Sequence, residues 1–482
     1  MPGIESLEPQ IVWKHFDQIR KIPRCSKHEE KIRDYILTFA KQQGLKTRVD
    51  AVGNVVILKP ATKGMEKKPT VILQGHMDMV CEKNSDIAFD FTKDPIKLKI
   101  KGDLLTADGT TLGADNGIGI AMGFALCEDT KAKHGPLEVL FTVDEETGLT
   151  GAFAIKPDML TGKIMLNLDS EDFGVITVGC AGGGDTTIEV PLKMQAAPTG
   201  MDSITVKLTG LRGGHSGVDI HEQRGNAIKL LTRILWEVSQ KIEFHLADIK
   251  GGDKHNAIPR EAYAKLLVDK KDKAMFTAEV NTRVKEIKDE YKPIDPNMKV
   301  TVEPCESLKS ILDKQSKEKL LNLLHGLPHG VYLMNYDLKT LVETSTNLAV
   351  VSLKEGNAVI IMSSRSPVKS ELQDMRDRIR AIAVLAGAKI TEEKAYPGWK
   401  PDLQSKILSL AKKTFQDMFK QEPKIEAIHA GLECGIIGEK FPGMDMISIG
   451  PTVKNPHSPE ENLTISSVGK FYQYLTRILE TL

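Results

Sequence analysis

No stretch of 18 or more apolar residues occurs in the 482-residue chain, so it offers no ordinary membrane-spanning helix. Charge of one sign is equally scarce. The 65 Lys and Arg balance 65 Asp and Glu to a formal net charge of +0, which removes the electrostatic case for a dedicated nucleic-acid or membrane-surface binder. The opening MPGIESLEPQIVWKHFDQI lacks a basic flank, apolar core and small-residue cleavage site in succession, so no secretory signal is read there. Pro9 instead suits a first helical turn, with Val12, Phe16 and Ile19 on one helical face. Cys25, Cys81, Cys127, Cys180, Cys305 and Cys434 form no C-x-x-C pair. That excludes a zinc ribbon and a thioredoxin-type site, and a reducing, cytoplasmic setting is the simplest expectation. Low-complexity segments are absent.

The chain is long enough for about two or three domains, and its 41% hydrophobic content supplies a core. Between residues 68 and 170, short apolar strands alternate with helical or loop segments, the pattern of a mostly parallel sheet flanked by helices. Residues 70–74, 137–143 and 164–168 read as strands, each running straight into acidic residues or histidine. Asp115 precedes Asn116-Gly117 and an apolar run at 118–126, which predicts a buried helix beginning just after Asp115. Glycine-rich CAGGGD (180–185) and the 198–200 stretch then mark a change of register. A strand at 203–211, an amphipathic helix at 225–240, strand-like 348–362 and a helix near 371–385 follow, as in an α+β unit. The tail returns to helix (405–419), strand (446–449) and a closing helix (468–482). The expected organisation is α/β: a catalytic domain in two segments, 1–184 and 395–482, around an inserted α+β domain, 185–394.

Five motifs place His, Asp and Glu at element ends: GHMDMV (His76, Asp78), GADNG (Asp115), DEETG (Glu145, Glu146), LDSED (Asp169) and NPHSPEE (His457). Open α/β sheets gather ligands outside the carboxyl ends of their strands, where three of these groups fall. Two histidines and several carboxylates without cysteine suit zinc, manganese or cobalt. A pair of ions about 3.5–4 Å apart needs a bridging carboxylate and, on each ion, a terminal His and a terminal carboxylate. Asp115 is the expected bridge, His76 with Asp169 completes one site, and Glu146 with His457 completes the other. Asp78, two residues from His76, is expected to fix the imidazole tautomer. Glu145 is left to take the proton from a metal-bridging water, which makes the site that of a metal-assisted hydrolase. Any one motif alone reads as a cap, a turn or a solvated pair; their conjunction carries the expectation.

With GHMDMV, LGADNGIG, DEETGLTGA, LNLDSED and PHSPEE, the sequence resembles the di-zinc exopeptidases that include glutamate carboxypeptidase, aminoacylase, tripeptidase and carnosinase-type dipeptidases. Within them it is most similar to the bacterial aminoacyl-histidine (Xaa-His) dipeptidases, over nearly the whole chain. GADNG departs from the wider family at Asn116, a change shared by the dipeptidase group. The resemblance implies the same ligand set, with Asp78 and Glu145 as the catalytic pair and the inserted domain as a lid through which a homodimer forms. It further implies that His215 in GGHSG reaches a partner's active site, that Asn256 (HNAIPR) and Arg365 (SSRS) bind substrate, and that Gly431 and Glu433 (HAGLECG) form a substrate loop. Its implied substrate is an unblocked dipeptide, Xaa-His and β-alanyl-histidine among the preferred. A tripeptidase or an N-acyl amino acid deacylase is the alternative on the same scaffold, and a non-catalytic metal or peptide binder is the alternative outside enzymes.

Overall fold

The structure, a computed structural model, describes residues 3–482; Met1 and Pro2, which open the first expected segment, lie outside the described residues. The chain divides into two compact units. One comprises Met1–Gly179, Trp399–Ala427 and Leu432–Leu482, and the other Cys180–Gly398 and Ile428–Gly431.

The first unit is built on an eight-stranded sheet. Its centre is parallel, in the order Leu137–Thr142, Val71–His76, Ile164–Asn167, Asp445–Ser448. Antiparallel strands extend it, Lys46–Val49 and Val55–Lys59 on one side and Val175–Cys180 on the other. Every residue of Val71–His76 and Leu137–Thr142 is buried, as expected of strands covered on both faces. Alternation along a strand decides which face each side chain serves. Val71 and Leu73 join the larger core with Trp13, Phe16 and Phe124, whereas Ile72 points to a smaller one with Val56, Leu140 and Met165.

The helix Ala114–Glu128 is buried almost throughout, because the sequence after Asp115 is small or apolar. Asp115 (φ −79°, ψ 114°) and Asn116 (φ −103°, ψ 32°) are non-helical, so regular turns start just beyond them, as the sequence led us to expect. The peptide bond joining them is cis.

The second unit carries a nine-stranded sheet in which every pairing is antiparallel. Helices Ala227–Ser239, Lys273–Tyr291, Lys314–Gly326 and Lys369–Leu385 share one core with it. This is the expected α+β pattern. The Asn226 side chain starts the first of these helices by accepting from the N–H groups of Ile228 and Lys229.

Cys25 and Cys81, which no sequence motif pairs, are joined by a disulfide with Cα atoms 5.6 Å apart. A bridge between Cys25 and Met79 brings the two segments together, a contact that a separation of 56 residues does not announce. No helix among the described residues is long and apolar enough to cross a membrane.

Candidate metal centre

The chemistry-bearing residues of the first unit stand where parallel strands stop. His76 ends Val71–His76, and Asp78 follows two residues later. Glu145 and Glu146 open the short helix Glu145–Gly148 beyond Leu137–Thr142, and Asp169 follows Ile164–Asn167. Asp115 comes from the non-helical start of Ala114–Glu128, and His457 from the loop between Val453–Lys454 and Asn462–Thr464.

Asp115 divides its two oxygens between the two histidines. Its Oδ1 lies 2.9 Å from His76 Nε2, and its Oδ2 lies 3.2 Å from His457 Nε2. Asp169 Oδ1 stands 3.4 Å from the same His76 nitrogen, and Glu146 Oε2 stands 2.9 Å from the same His457 nitrogen. Two groups therefore share one carboxylate: His76, Asp115 and Asp169, and Asp115, Glu146 and His457. On the far side of the His76 ring, Nδ1 lies 3.3 Å from Asp78 Oδ1. Asp78 in turn accepts from the Glu145 and Glu146 backbone N–H groups at 3.0 and 3.2 Å and from the Ser26 hydroxyl at 2.8 Å.

Asn116 gains a physical role here. Its side chain fills the gap between Gly75 and Gly119, where an added Cβ would stand 2.3 and 2.1 Å from its Oδ1, and its Nδ2 donates to Leu168 O at 2.9 Å. It thereby ties the segment bearing Asp115 to the strand end that precedes Asp169.

The pocket is short of positive charge. Burial opposes a charged His76, but Asp169, Asp115 and Asp78 outweigh it and raise the imidazole well above its ordinary value. Hydrogen bonds to Asp115 and Glu146 raise His457 to about 11. Burial, reinforced by Asp115 and Glu146 against the pull of His76, pushes Asp169 up to about 6. Burial likewise carries Glu145 well above the carboxylate range, helped by Asp169, Glu433 and Glu146. Asp78 goes the other way. Burial opposes its charge, yet His76 and the Glu145 N–H hold it at about 2. Imidazoles drawn to the charged form and carboxylates drawn to the neutral one mark anions packed closer than their charge allows, a strain that divalent cations relieve by replacing protons. The residues fit such ions: Glu146 Oε1 and Asp169 Oδ1 are buried without a hydrogen-bond partner, and the donors are all imidazole nitrogen or carboxylate oxygen.

The sequence model of peptidase family M20/M25/M40 matches residues 72–481. The chain belongs to this peptidase family. It is 42% identical over 480 residues to the cytosol non-specific dipeptidase of Escherichia coli (strain K12), covering 100% of this chain and 99% of that protein. The crystal structure of the aminoacylhistidine dipeptidase of Vibrio alginolyticus superimposes with a TM-score of 0.93 at 41% identity, covering 100% of this chain and 98% of that one. The PepT aminopeptidase of Bacillus cereus shares the fold alone, at a TM-score of 0.56 and 17% identity.

In this family member the remaining expected residues divide between the units. Glu433 is in the first: buried, it accepts from Gln74 Nε2 at 2.5 Å and Thr142 Oγ1 at 2.7 Å, and burial pushes it up to about 7. Its other oxygen has no hydrogen-bond partner among the described residues. His215, Asn256, Arg365 and Gly431 are in the second unit, brought together around Ser216 and Tyr396. The Asn256 carbonyl accepts from Ser216 N–H at 2.8 Å, Arg365 reaches the Ser216 hydroxyl at 3.5 Å and the Tyr396 hydroxyl at 2.9 Å, and Gly431 lies against the Tyr396 ring. His215 Nδ1 accepts from the N–H groups of Gly217 and Val218 at 3.2 and 3.0 Å, which assigns the ring proton to Nε2. Burial and Arg365 lower its pKa to about 4, so near neutral pH it is an uncharged N–H donor.

Sequence reasoning missed Ser26 and the buried acids Glu29 and Asp144, which group with Asp78. Glu29 accepts from the Lys27 and Asp144 N–H groups, and Asp144 accepts from the Thr147 and Thr150 hydroxyls. These acids hold the loop from which Glu145 and Glu146 spring. Glu29 belongs to none of the five motifs, and Asp144 sits inside one without a signal that separates its role from its neighbours'.

Proposed function

We propose that this protein is a dipeptidase that uses two divalent metal ions to hydrolyse the peptide bond of unblocked dipeptides, Xaa-His and β-alanyl-histidine among the preferred. The observation that carries the reading is the sharing of Asp115 between His76 and His457. His76, Asp115 and Asp169 would hold one ion and Asp115, Glu146 and His457 the other, zinc being favoured and manganese or cobalt compatible with the same donors. When bound, the ions polarise the scissile carbonyl and make water a nucleophile near neutral pH.

The chain's own residues do the rest. Glu145, whose raised pKa suits proton transfer, takes a proton from the attacking water and returns it to the leaving amine. Asp78, its Oδ1 3.3 Å from His76 Nδ1, faces the ring nitrogen opposite Nε2 and keeps Nε2 turned toward Asp115 and Asp169. His215, donating through Nε2, stabilises the oxyanion of a partner's substrate within a homodimer formed through the second unit. Arg365 takes the free carboxylate of the substrate, and Asn256, Gly431 and Glu433 are the other residues assigned to substrate binding. Residues 1–184 and 395–482 act as the catalytic domain, and 185–394 as the lid and dimerisation domain. Binding both charged termini selects length, because an extra residue separates one terminus from its partner and leaves buried polar groups unpaired.

The names of the Escherichia coli and Vibrio alginolyticus relatives support dipeptides as substrates, and the first supports a cytoplasmic setting. No observation favours the tripeptidase or deacylase reading. The test compares kcat/KM for β-Ala-His, Gly-His, Gly-Leu, a His-containing tripeptide and an N-acetylated dipeptide. Free dipeptides are expected to lead. Equal or better cleavage of the tripeptide or the blocked compound overturns the dipeptidase reading, and preference for Gly-Leu over every Xaa-His overturns only the histidine part.

A further inference from the structure

The reading above leaves unexplained a second acid of the NPHSPEE segment. Glu461 is 2% exposed, and its carboxylate accepts four consecutive backbone N–H groups. Oε2 takes Leu112 and Gly113 at 2.7 and 2.9 Å, and Oε1 takes Ala114 and Asp115 at 2.8 and 3.2 Å. These amides belong to the turn that presents Asp115, ahead of the regular helix, and Gly113 offers no side-chain cap of its own. Four parallel demands on one carboxylate leave the turn little freedom, since each N–H released would be buried and unsatisfied.

Glu461 is also joined to the other histidine. Its backbone N–H donates to Ser458 O at 3.0 Å, closing the turn that follows His457. One side chain therefore connects the loop carrying His457 to the turn carrying Asp115. Arg24, also 2% exposed, reaches the same turn. The Arg24 guanidinium donates to Met77 O and Asp78 O at 3.1 and 2.6 Å and to Gly113 O, linking the His76 strand end to the same turn. Glycines make room for it: a Cβ at Gly113 or Gly117 would stand 2.6 or 2.7 Å from Arg24 Nη2.

We propose that Glu461 is a positioning residue that couples Asp115 to His457 and so sets the affinity of the ion held by Asp115, Glu146 and His457. Glu461 touches no reacting atom. It acts by fixing the backbone from which the shared carboxylate projects relative to the loop of the second imidazole, while the His76 and Asp169 side keeps its own supports in Asp78 and Asn116. This inference rests on the two-metal reading.

The test is a calorimetric titration of chelated, metal-free protein with Zn2+ alone, on wild type, Glu461→Gln, Glu461→Asp and the exposed neighbour Glu460→Gln, with the melting temperature of each apo-protein measured in parallel. Glu461→Gln is expected to bind its first equivalent within threefold of wild type and its second roughly tenfold to a hundredfold more weakly. Glu461→Asp, which keeps the charge but shortens the reach, is expected to shift the same way by less and stands in if the glutamine variant fails to fold. Glu460→Gln is expected to match wild type. A lowered apo melting temperature with both affinities unchanged, or equal weakening of both equivalents, overturns the positioning role. Wild-type protein that takes up fewer than two ions overturns instead the two-metal reading beneath it.

Discussion

Replacing Asp78 by asparagine keeps the shape of the side chain that orients His76 and removes its charge. Asp78 is 0% exposed, and its oxygens take two backbone N–H groups and the Ser26 hydroxyl while facing His76 Nδ1 at 3.3 Å. The surroundings, His76 first, hold this carboxyl at about 2 instead of 3.8 and so favour its charged form. An amide forfeits that preference and turns an N–H toward groups that already donate. Asp78→Asn is therefore expected to lower kcat/KM on β-Ala-His by roughly tenfold to a hundredfold at saturating Zn2+, the range seen when partners of metal-binding histidines are removed. Steady-state kinetics paired with metal content by plasma mass spectrometry reads the effect. A variant within twofold of wild type, with full metal content, refutes the claim that Asp78 orients the imidazole.

Glu145→Ala is expected to keep its metal and its fold but to lose roughly a hundredfold to ten-thousandfold in kcat, whereas His457→Ala should lose metal at one site; loss of both ions in the first variant contradicts the role of Glu145 as a proton carrier. Mixing Glu145→Ala with His215→Ala subunits under exchange creates one competent site per heterodimer, so about a quarter of wild-type activity should return on random pairing, and a monomer in solution or no recovery counts against action across the interface. His429 is buried, with Nε2 2.7 Å from the Ser345 hydroxyl, and burial followed by Arg365 lowers its pKa to about 3 from 6.5. Between those values the unfolded chain binds a proton that the folded chain refuses, so stability is full above about pH 6.5 and falls as pH drops toward 3; at pH 5.5 the loss is about 1.4 kcal/mol. Urea unfolding of His429→Gln at pH 7.5 and 5.5 should show that much less acid sensitivity than wild type, and an unchanged difference would exclude His429 as its source.

Much of this was legible because local rules and global packing agree. The strand read at 137–143 is Leu137–Thr142, and that read at 164–168 is Ile164–Asn167, since apolar runs bounded by charge leave little else for a buried parallel sheet. The helix read at 225–240 is Ala227–Ser239, its start set by the Asn226 cap. His76, Glu146 and Asp169 were legible as a group because strand ends gather at one edge of such a sheet, and Asp115 and His457 because two ions need a bridging carboxylate and a second imidazole. What stayed hidden depends on contacts distant in sequence. Cys25 and Cys81 carry no spacing motif, Arg24 reads as an ordinary basic residue near a helix end, and Glu461 looks like one more surface acid until four amides are seen pointing at it. The sheet was itself only partly legible, since one antiparallel flank is a hairpin at Lys46–Val49 and Val55–Lys59 that no motif marks.

The central claim is that two ions sharing Asp115 drive peptide hydrolysis in this chain. Stepwise addition of Zn2+ to fully chelated protein, with β-Ala-His hydrolysis followed at each step, tests it most directly. Activity absent at the start and rising to a plateau at two equivalents per chain is the predicted result; full activity in the chelated protein, or a plateau reached at one equivalent, would contradict it.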